Sequence, residues 1–302
     1  MTDQKRTVLI TGCSAGGLGA ALALAFRQRG LRVFATVRDL DKAQALRAAG
    51  VECLRLDVLD SAFIASCVER VTSLTGGKLD ILINNAGRGH YQPFMHLDIP
   101  KAKQVFDLNV WSYLEVTQAF LPLLMKAASP AKSGPKAILV NNTSISSVLR
   151  TPFQDAYSAS KAAMAMFNDI QRIELAPFGI KVADLKTGSL TSNFGNNMTS
   201  PLRLPEGSPY KLIEKEAENV INGTMTEGMA ESQENWAKNV VKDLLKNEKN
   251  PPAQIWRGGM AGTMRIISTV MPTGMGDKSF REMGGLDKME KILAEKGTNS
   301  ST

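Results

Sequence analysis

The chain has 302 residues, 43% hydrophobic and 22% charged, which suits one soluble globular domain with a substantial core and excludes a disordered or fibrous protein. Its formal charge of +7, from 36 basic and 29 acidic residues, favours anionic ligands or surfaces. No basic run interleaved with aromatics points to nucleic acid, and three cysteines without zinc-type spacing point to free thiols rather than a metal or disulfides.

The opening MTDQKRTVLITG lacks the pattern of a secretory signal or a membrane span, so a cytoplasmic location is expected. Thr7 to Thr11 is a short β-branched run, and Gly19 to Arg29 reads as an Ala/Leu-rich helix. Between them lies a glycine-rich turn, GCSAGGLG. A strand feeding a helix through glycines offers bare amides and a helix N-terminus to a pyrophosphate, which predicts a dinucleotide site.

Leu31 to Val37 is the second strand. It ends on Arg38 instead of the carboxylate that holds an NAD ribose, so NADP(H) is the predicted cofactor. A surface ion pair between Arg38 and Asp39 is the alternative. Ser14 is a second candidate partner for the same phosphate. Val51 to Val58 is a third strand containing Asp57, and a helix follows from Ser61 to Leu74. Leu79 to Asn84 is a fourth strand running into Asn84-Asn85-Ala86-Gly87, small and amide residues that allow a nucleotide close approach.

Pro100 to Ala128 is a long helical pattern, expected to be interrupted near Pro122 and carrying Asn109. An asparagine inside a helix is locally unfavourable, so it is either solvated or marks a bound water or a kink. Lys136 to Thr143 is the fifth strand, Tyr157 to Ala176 a helix and Ile180 to Leu185 the sixth strand. Strands alternating with helices predict an α/β fold, a Rossmann-type doubly wound parallel sheet whose ligands gather at the carboxyl ends of the strands.

The stretch NNTSISSVLRTPFQDAYSASK combines three polar groups suited to one reaction. Tyr157 and Lys161, four apart on a helix, share a face, and the turn at Pro152 brings Ser144 back towards them. An ammonium about 4 Å from the phenol contributes roughly 4 kcal/mol, enough to make tyrosine an acid near neutrality. A serine polarising a carbonyl and a tyrosine protonating it complete a reduction once hydride arrives.

Thr11-Gly12, Gly16-Gly17-Leu18-Gly19, Asp57, Asn84-Asn85-Ala86-Gly87, Asn109, Ser144, Tyr157-Ser158-Ala159-Ser160-Lys161 and Gly188 occur in order on the expected elements. Together they resemble the short-chain dehydrogenase/reductase family over roughly residues 5 to 195. The resemblance implies that Tyr157 is the acid/base, that Lys161 lowers its pKa and binds the nicotinamide ribose, that Ser144 orients the carbonyl, and that Asn109 supports a water relay. Ser146 and Ser147 are nearby alternatives to Ser144. It further implies that Gly12, Gly16, Gly17 and Gly19 surround the pyrophosphate, Asp57 meets the adenine, Asn85 its ribose, and Leu190 and Ser192 the carboxamide, with Ala86 and Gly87 beside them. Three departures stand out: a glycine turn one residue longer than usual, with Leu18 where a glycine normally lies; Thr187 for the usual proline; and Ser192 for threonine.

The sequence is similar to a fungal branch that includes acyl-dihydroxyacetone-phosphate reductases and natural-product enzymes, and around Tyr157 to 17β-hydroxysteroid dehydrogenases. The expected activity is therefore NADPH-dependent reduction of a ketone on a lipophilic or aromatic small molecule. The alternatives are an acyl-dihydroxyacetone-phosphate reductase and a non-catalytic dinucleotide-binding regulator. Arg88, His90, Arg150 and Phe153 are the candidate substrate residues: one of the bases would recognise an acidic, phosphate or phenolate group, or else all are solvated rim charges.

Residues 1–257 are expected to form the catalytic domain, with 193–250 covering the substrate and Ala253 to Trp256 as the last strand. Residues 258–302 are expected to form a C-terminal extension. Within it, Gly258 to Pro272 is apolar but interrupted by Arg265, so it cannot span a bilayer; it would be a pocket wall or dimer surface, or touch the endoplasmic reticulum or lipid droplets peripherally. The tail after Leu286 reads as polar and frayed, and a homo-oligomer, dimer or tetramer, is expected by analogy.

Overall fold

The computed structural model describes residues 5–129, 131, 136–191, 203–272 and 274–299. The chain begins with β1 (Thr7–Ile10), α1 (Leu18–Gln28), β2 (Arg32–Val37), α2 (Gln44–Ala48) and β3 (Glu52–Arg55). It continues through α3 (Ser61–Thr75), β4 (Ile81–Asn84), α4 (Ile99–Phe106), α5 (Ser112–Ala127), β5 (Ala137–Asn142), α6 (Asp155–Glu174) and β6 (Ile180–Thr187). After the short β7 (Leu190–Thr191) come α7 (Glu214–Asn222), β8 (Glu231–Ser232), α8 (Gln233–Lys246), β9 (Gln254–Arg257), α9 (Ala261–Val270), α10 (Asp277–Met283) and α11 (Leu286–Asn299).

Seven strands form one parallel sheet in the order β3-β2-β1-β4-β5-β6-β9, and β7 pairs with β8 apart from it. The chain winds outward from β1 to β3, then crosses back to β4 on the other side of β1. A crevice opens at such a reversal, beyond the strands' carboxyl ends. Alternate residues feed two cores, as the pleat requires. Val8, Ile10, Val33 and Ile83 pack under α1 and α8, whereas Leu9, Phe34, Leu82 and Leu139 pack under α3 and α5. Helix limits follow local chemistry: Asp60 caps α3 by accepting from Ala62 N at 2.9 Å, and Gly76, with φ 65°, ends it.

Three expectations are corrected. The third strand is only Glu52–Arg55, because its partner β2 stops at Val37, opposite Arg55. The long helical run is not broken at Pro122, which lies inside α5 with its side chain exposed, so the carbonyl that loses its donor can face water. It deviates instead at Asp107–Trp111, a single π-helical turn containing Asn109 that joins α4 to α5. Finally, the described part of the tail, Leu286–Asn299, is helical: Leu286 and Met289 pack on the cluster around Ile213, and Lys288 Nζ pairs with Glu216 Oε1 on α7 at 2.9 Å. Its apolar residues are few, and two of them, Leu286 and Met289, have a partner, while Leu293 stays exposed.

Candidate active site

The glycine turn lies at the switch point. Gly12 and Gly16 have φ of 71° and 72°, a region side chains disfavour. A Cβ on Gly12 would approach Ala86 Cα to 2.8 Å, and one on Gly19 would approach Gly12 O to 2.5 Å, so the turn is pressed against α1 and the fourth-strand loop. Gly17 precedes α1 and provides no side-chain cap, while Leu18 begins the helix. The first-turn amides and the positive end of the dipole are thus left for an anion. Ser14 is exposed, with its carbonyl accepting from Gly17 N.

Arg38 is exposed just past β2. Among the described residues it forms no ion pair with Asp39, whose carboxylate accepts from Asp41 N at 3.0 Å and caps a short turn. Asp57 is half-buried and accepts from Leu59 N at 3.1 Å.

A polar rail ties the carboxyl edge together. Thr11 Oγ1 accepts from Asn85 N and Ala86 N, and Asn85 Nδ2 donates to Thr11 O at 2.8 Å. Asn142 Nδ2 donates to Asn85 Oδ1 at 2.9 Å, and Thr187 Oγ1 donates to Asn142 Oδ1 at 2.6 Å. Thr11 and the Asn85 side chain are therefore committed to joining β1, β4, β5 and β6. Gly188 is stacked on the next loop: a Cβ there would lie 2.2 Å from Gly259 O, and its own N–H donates to Arg257 O. Leu190 is half-buried against the α1/α8 core, and Ser192 lies outside the described residues.

Tyr157, Lys161 and Ser144 are all buried and meet at this edge. Lys161 Nζ donates to Asn142 O at 2.8 Å and stands 6.0 Å from the Tyr157 ring centroid. Burial pulls its pKa down to about 8, opposed by the charge of Asp184. Burial raises the pKa of Tyr157, and its hydrogen bond with Ser144 works against that rise. Ser144 Oγ also accepts from Ser146 N at 3.1 Å, and Ser147 Oγ donates to the Ser144 carbonyl at 2.6 Å. Ser144 Oγ itself donates to Thr187 O at 3.3 Å, a longer bond than the one that holds Ser147.

Asn109 is neither solvated nor idle. Its Oδ1 accepts from Arg88 N, while Nδ2 donates to Arg88 O and Ser160 Oγ, each at 3.0 Å. It fastens the π-helical turn to the loop after β4 and to α6. A Cβ on Gly87 would lie 3.1 Å from Asn109 Oδ1 and 3.7 Å from Lys161 Nζ, so that glycine keeps the lysine's surroundings open.

An apolar cluster surrounds Tyr157. Tyr91 meets it edge-on at 5.5 Å, and Phe153 meets Tyr210 at 5.6 Å. Phe153 has φ 67°, a strained state for a bulky residue, held by burial in this cluster. Arg88 is half-buried and Arg150 exposed, whereas His90 is corrected from a rim base to a wholly buried side chain. Burial lowers its pKa, and it hydrogen-bonds Gln92. Tyr91, Tyr210, Asn142 and Thr187 were not among the candidate site residues read from the sequence. Of these, only Thr187, standing in place of the usual proline, carried a visible signal.

The short chain dehydrogenase family profile matches residues 6–202. The chain belongs to the short-chain dehydrogenase/reductase family. A family member from Pestalotiopsis microspora, a short-chain dehydrogenase/reductase, is 44% identical over 293 residues, covering 96% of this chain and 98% of that one. The NADPH-dependent 1-acyldihydroxyacetone phosphate reductase of Schizosaccharomyces pombe is 34% identical over 289 residues, covering 92% of this chain and 94% of that one. Among solved structures, a short-chain dehydrogenase from Streptomyces avermitilis superposes with a TM-score of 0.74 at 25% identity, covering 98% of this chain and all of that one. This family member has no helix among its described residues long and apolar enough to cross a membrane.

Proposed function

We propose that this dehydrogenase/reductase reduces a ketone on a lipophilic or aromatic small molecule, using NADPH. The observation that carries the reading is the meeting of the Ser144 and Tyr157 hydroxyls, hydrogen-bonded to each other beside buried Lys161, at the strand edge that holds the glycine turn. The residues present fit a dinucleotide: the turn leaves no room for side chains at Gly12 and Gly19, and α1 begins uncapped. Gly12, Ser14, Gly16, Gly17, Leu18 and Gly19 would hold the phosphates, Arg38 the 2′-phosphate and Asp57 the adenine. The backbone of Asn85, Ala86 and Gly87 would line the nucleoside, with Lys161, Gly188, Leu190 and Ser192 nearer the nicotinamide. NADPH, when bound, supplies the hydride.

The chain's own residues handle the oxygen. Ser144 Oγ donates a hydrogen bond to the substrate carbonyl, and Tyr157 transfers its proton to the same atom. A phenol whose pKa is raised by burial holds that proton at neutral pH, which suits the reductive direction. Lys161, with a pKa near 8, exchanges protons in the working range and restores it. The apolar cluster of Tyr91, Phe153 and Tyr210 excludes water from the reaction and selects an apolar substrate. Replacing Tyr157 with Phe should lower NADPH oxidation with a ketone panel by about 10²-fold or more while leaving NADPH binding intact. A variant that still turns over at the wild-type rate would defeat the proposal.

A second reading, reduction of an acylated dihydroxyacetone phosphate, draws on the fission-yeast relative and on Ile266, Val270 and Met275, which are exposed along and just after α9. Vesicle flotation together with that ketone in the panel separates the two. We also propose a homo-oligomer through α6 and the π-helical turn before α5, where Met166, Ile170, Ile173 and Trp111 are exposed.

A further inference from the structure

Lys186 and Asp184 form an ion pair that the proposed chemistry draws on only through the charge Asp184 exerts on Lys161. Lys186 Nζ lies 2.7 Å from Asp184 Oδ2, with the side chains 3% and 2% exposed. In every other ion pair among the described residues both side chains are at least 22% exposed. Both residues lie on β6, whose alternate residues Ala183 and Leu185 enter the core under α1 and α8. A central parallel strand is normally apolar throughout, and a buried charge pair rarely stabilises more than the apolar residues that could replace it. Folding alone does not account for the pair.

Its remaining partners lead to Ser144. Lys186 Nζ donates to Ser147 Oγ at 2.9 Å, and Ser147 Oγ donates to the Ser144 carbonyl at 2.6 Å, a carbonyl that also accepts from Ser147 N at 3.0 Å. On the other side, Asp184 Oδ1 accepts from Thr143 Oγ1, and Thr143 N donates to Leu185 O at 2.9 Å. The lysine is steadied from beyond by Trp256 of β9, its ring 5.7 Å away and its backbone opposite Lys186. The two charges therefore grip the chain immediately before and after the Ser144 Oγ, which stays clear of both of them.

We infer that Lys186 and Asp184 are positioning residues that fix the Ser144 hydroxyl, acting through Ser147 and Thr143. The catalytic consequence rests on the reading of Ser144 as the group that polarises the carbonyl; the grip on the turn does not.

The test uses the full-length chain with three changes: Lys186→Met, the charge-free pair Asp184→Asn with Lys186→Met, and Ser147→Ala, which removes the link and keeps the ion pair. Amide hydrogen exchange over residues 143–149 should accelerate about tenfold in each, with β5 unchanged. With menadione as the carbonyl probe, kcat should fall about tenfold at a nearly constant KM, and in a Ser144→Ala background Lys186→Met should cost nothing further. Unchanged exchange in Ser147→Ala and in the charge-free pair overturns the inference, whatever turnover does. A further loss of kcat in the Ser144→Ala background also overturns it, because the lysine would then act elsewhere. Faster exchange in a protein whose Ser144→Ala variant keeps full turnover upholds the grip and removes the ketoreductase reading instead.

Discussion

Gly19→Ala puts the glycine turn to a quantitative test. The position is in the first turn of α1, where alanine is intrinsically better than glycine by up to about 1 kcal/mol. Space opposes it. The new Cβ would lie 2.5 Å from Gly12 O and 2.7 Å from Asn85 Nδ2, whereas ordinary contact begins at 3.4 Å. Neither neighbour is a loose chain end: one is backbone, and the other donates to Thr11 O and Gly12 O. Relief requires α1 and the turn to part by nearly ~1 Å, and overpacking of this kind costs about 1–3 kcal/mol. The movement displaces the amides proposed to hold the pyrophosphate, so NADPH affinity should fall at least tenfold, about 1.4 kcal/mol. Fluorescence titration with NADPH measures it. Gly262, inside α9 with nothing within 4 Å of its would-be Cβ, is the control. Gly262→Ala should stabilise by roughly 0.5–1 kcal/mol and leave binding alone. Wild-type NADPH affinity in Gly19→Ala would refute the reasoning.

Arg38→Ala should raise the Kd for NADPH by about 10- to 100-fold, the loss of a charge-assisted contact, and leave NADH affinity unchanged; isothermal titration with both dinucleotides decides. Lys161 makes stability pH-dependent. The folded chain releases this proton near pH 8, whereas the unfolded chain keeps it up to about 10.5, so stability rises with pH across that window and the penalty is fully present below it. Urea unfolding of wild type minus Lys161→Met should show a slope of about 1.4 kcal/mol per pH unit between pH 8 and 10; a flat difference contradicts it. Ile170→Glu places a charge on the exposed apolar face of α6 and should convert an oligomer to a monomer in light scattering, with the fold intact by circular dichroism.

Much of the site was legible because its determinants are local. Tyr157 and Lys161 share a helix face by spacing alone, and glycines between a strand and a helix leave amides bare wherever the helix lies. What misled was equally local. The tail after Leu286 is polar in composition, yet Leu286 and Met289 find a cluster contributed by residues far away in sequence. The sixth strand was expected to end at Leu185, where the apolar run stops, whereas pairing with β9 extends it to Thr187.

The amino-acid order by itself determined the alternation of strands and helices, the glycine turn between the first strand and helix, and the candidate reacting side chains, since these follow from periodicity, backbone conformation and chemical type. Only the tertiary structure decided the signs of the electrostatic effects: that burial raises the pKa of Tyr157, that it pulls down those of Lys161 and His90, and that Asp184 and Lys186 are buried against each other. Those outcomes depend on how much water is removed and which distant groups replace it, and neither quantity is written in neighbouring residues.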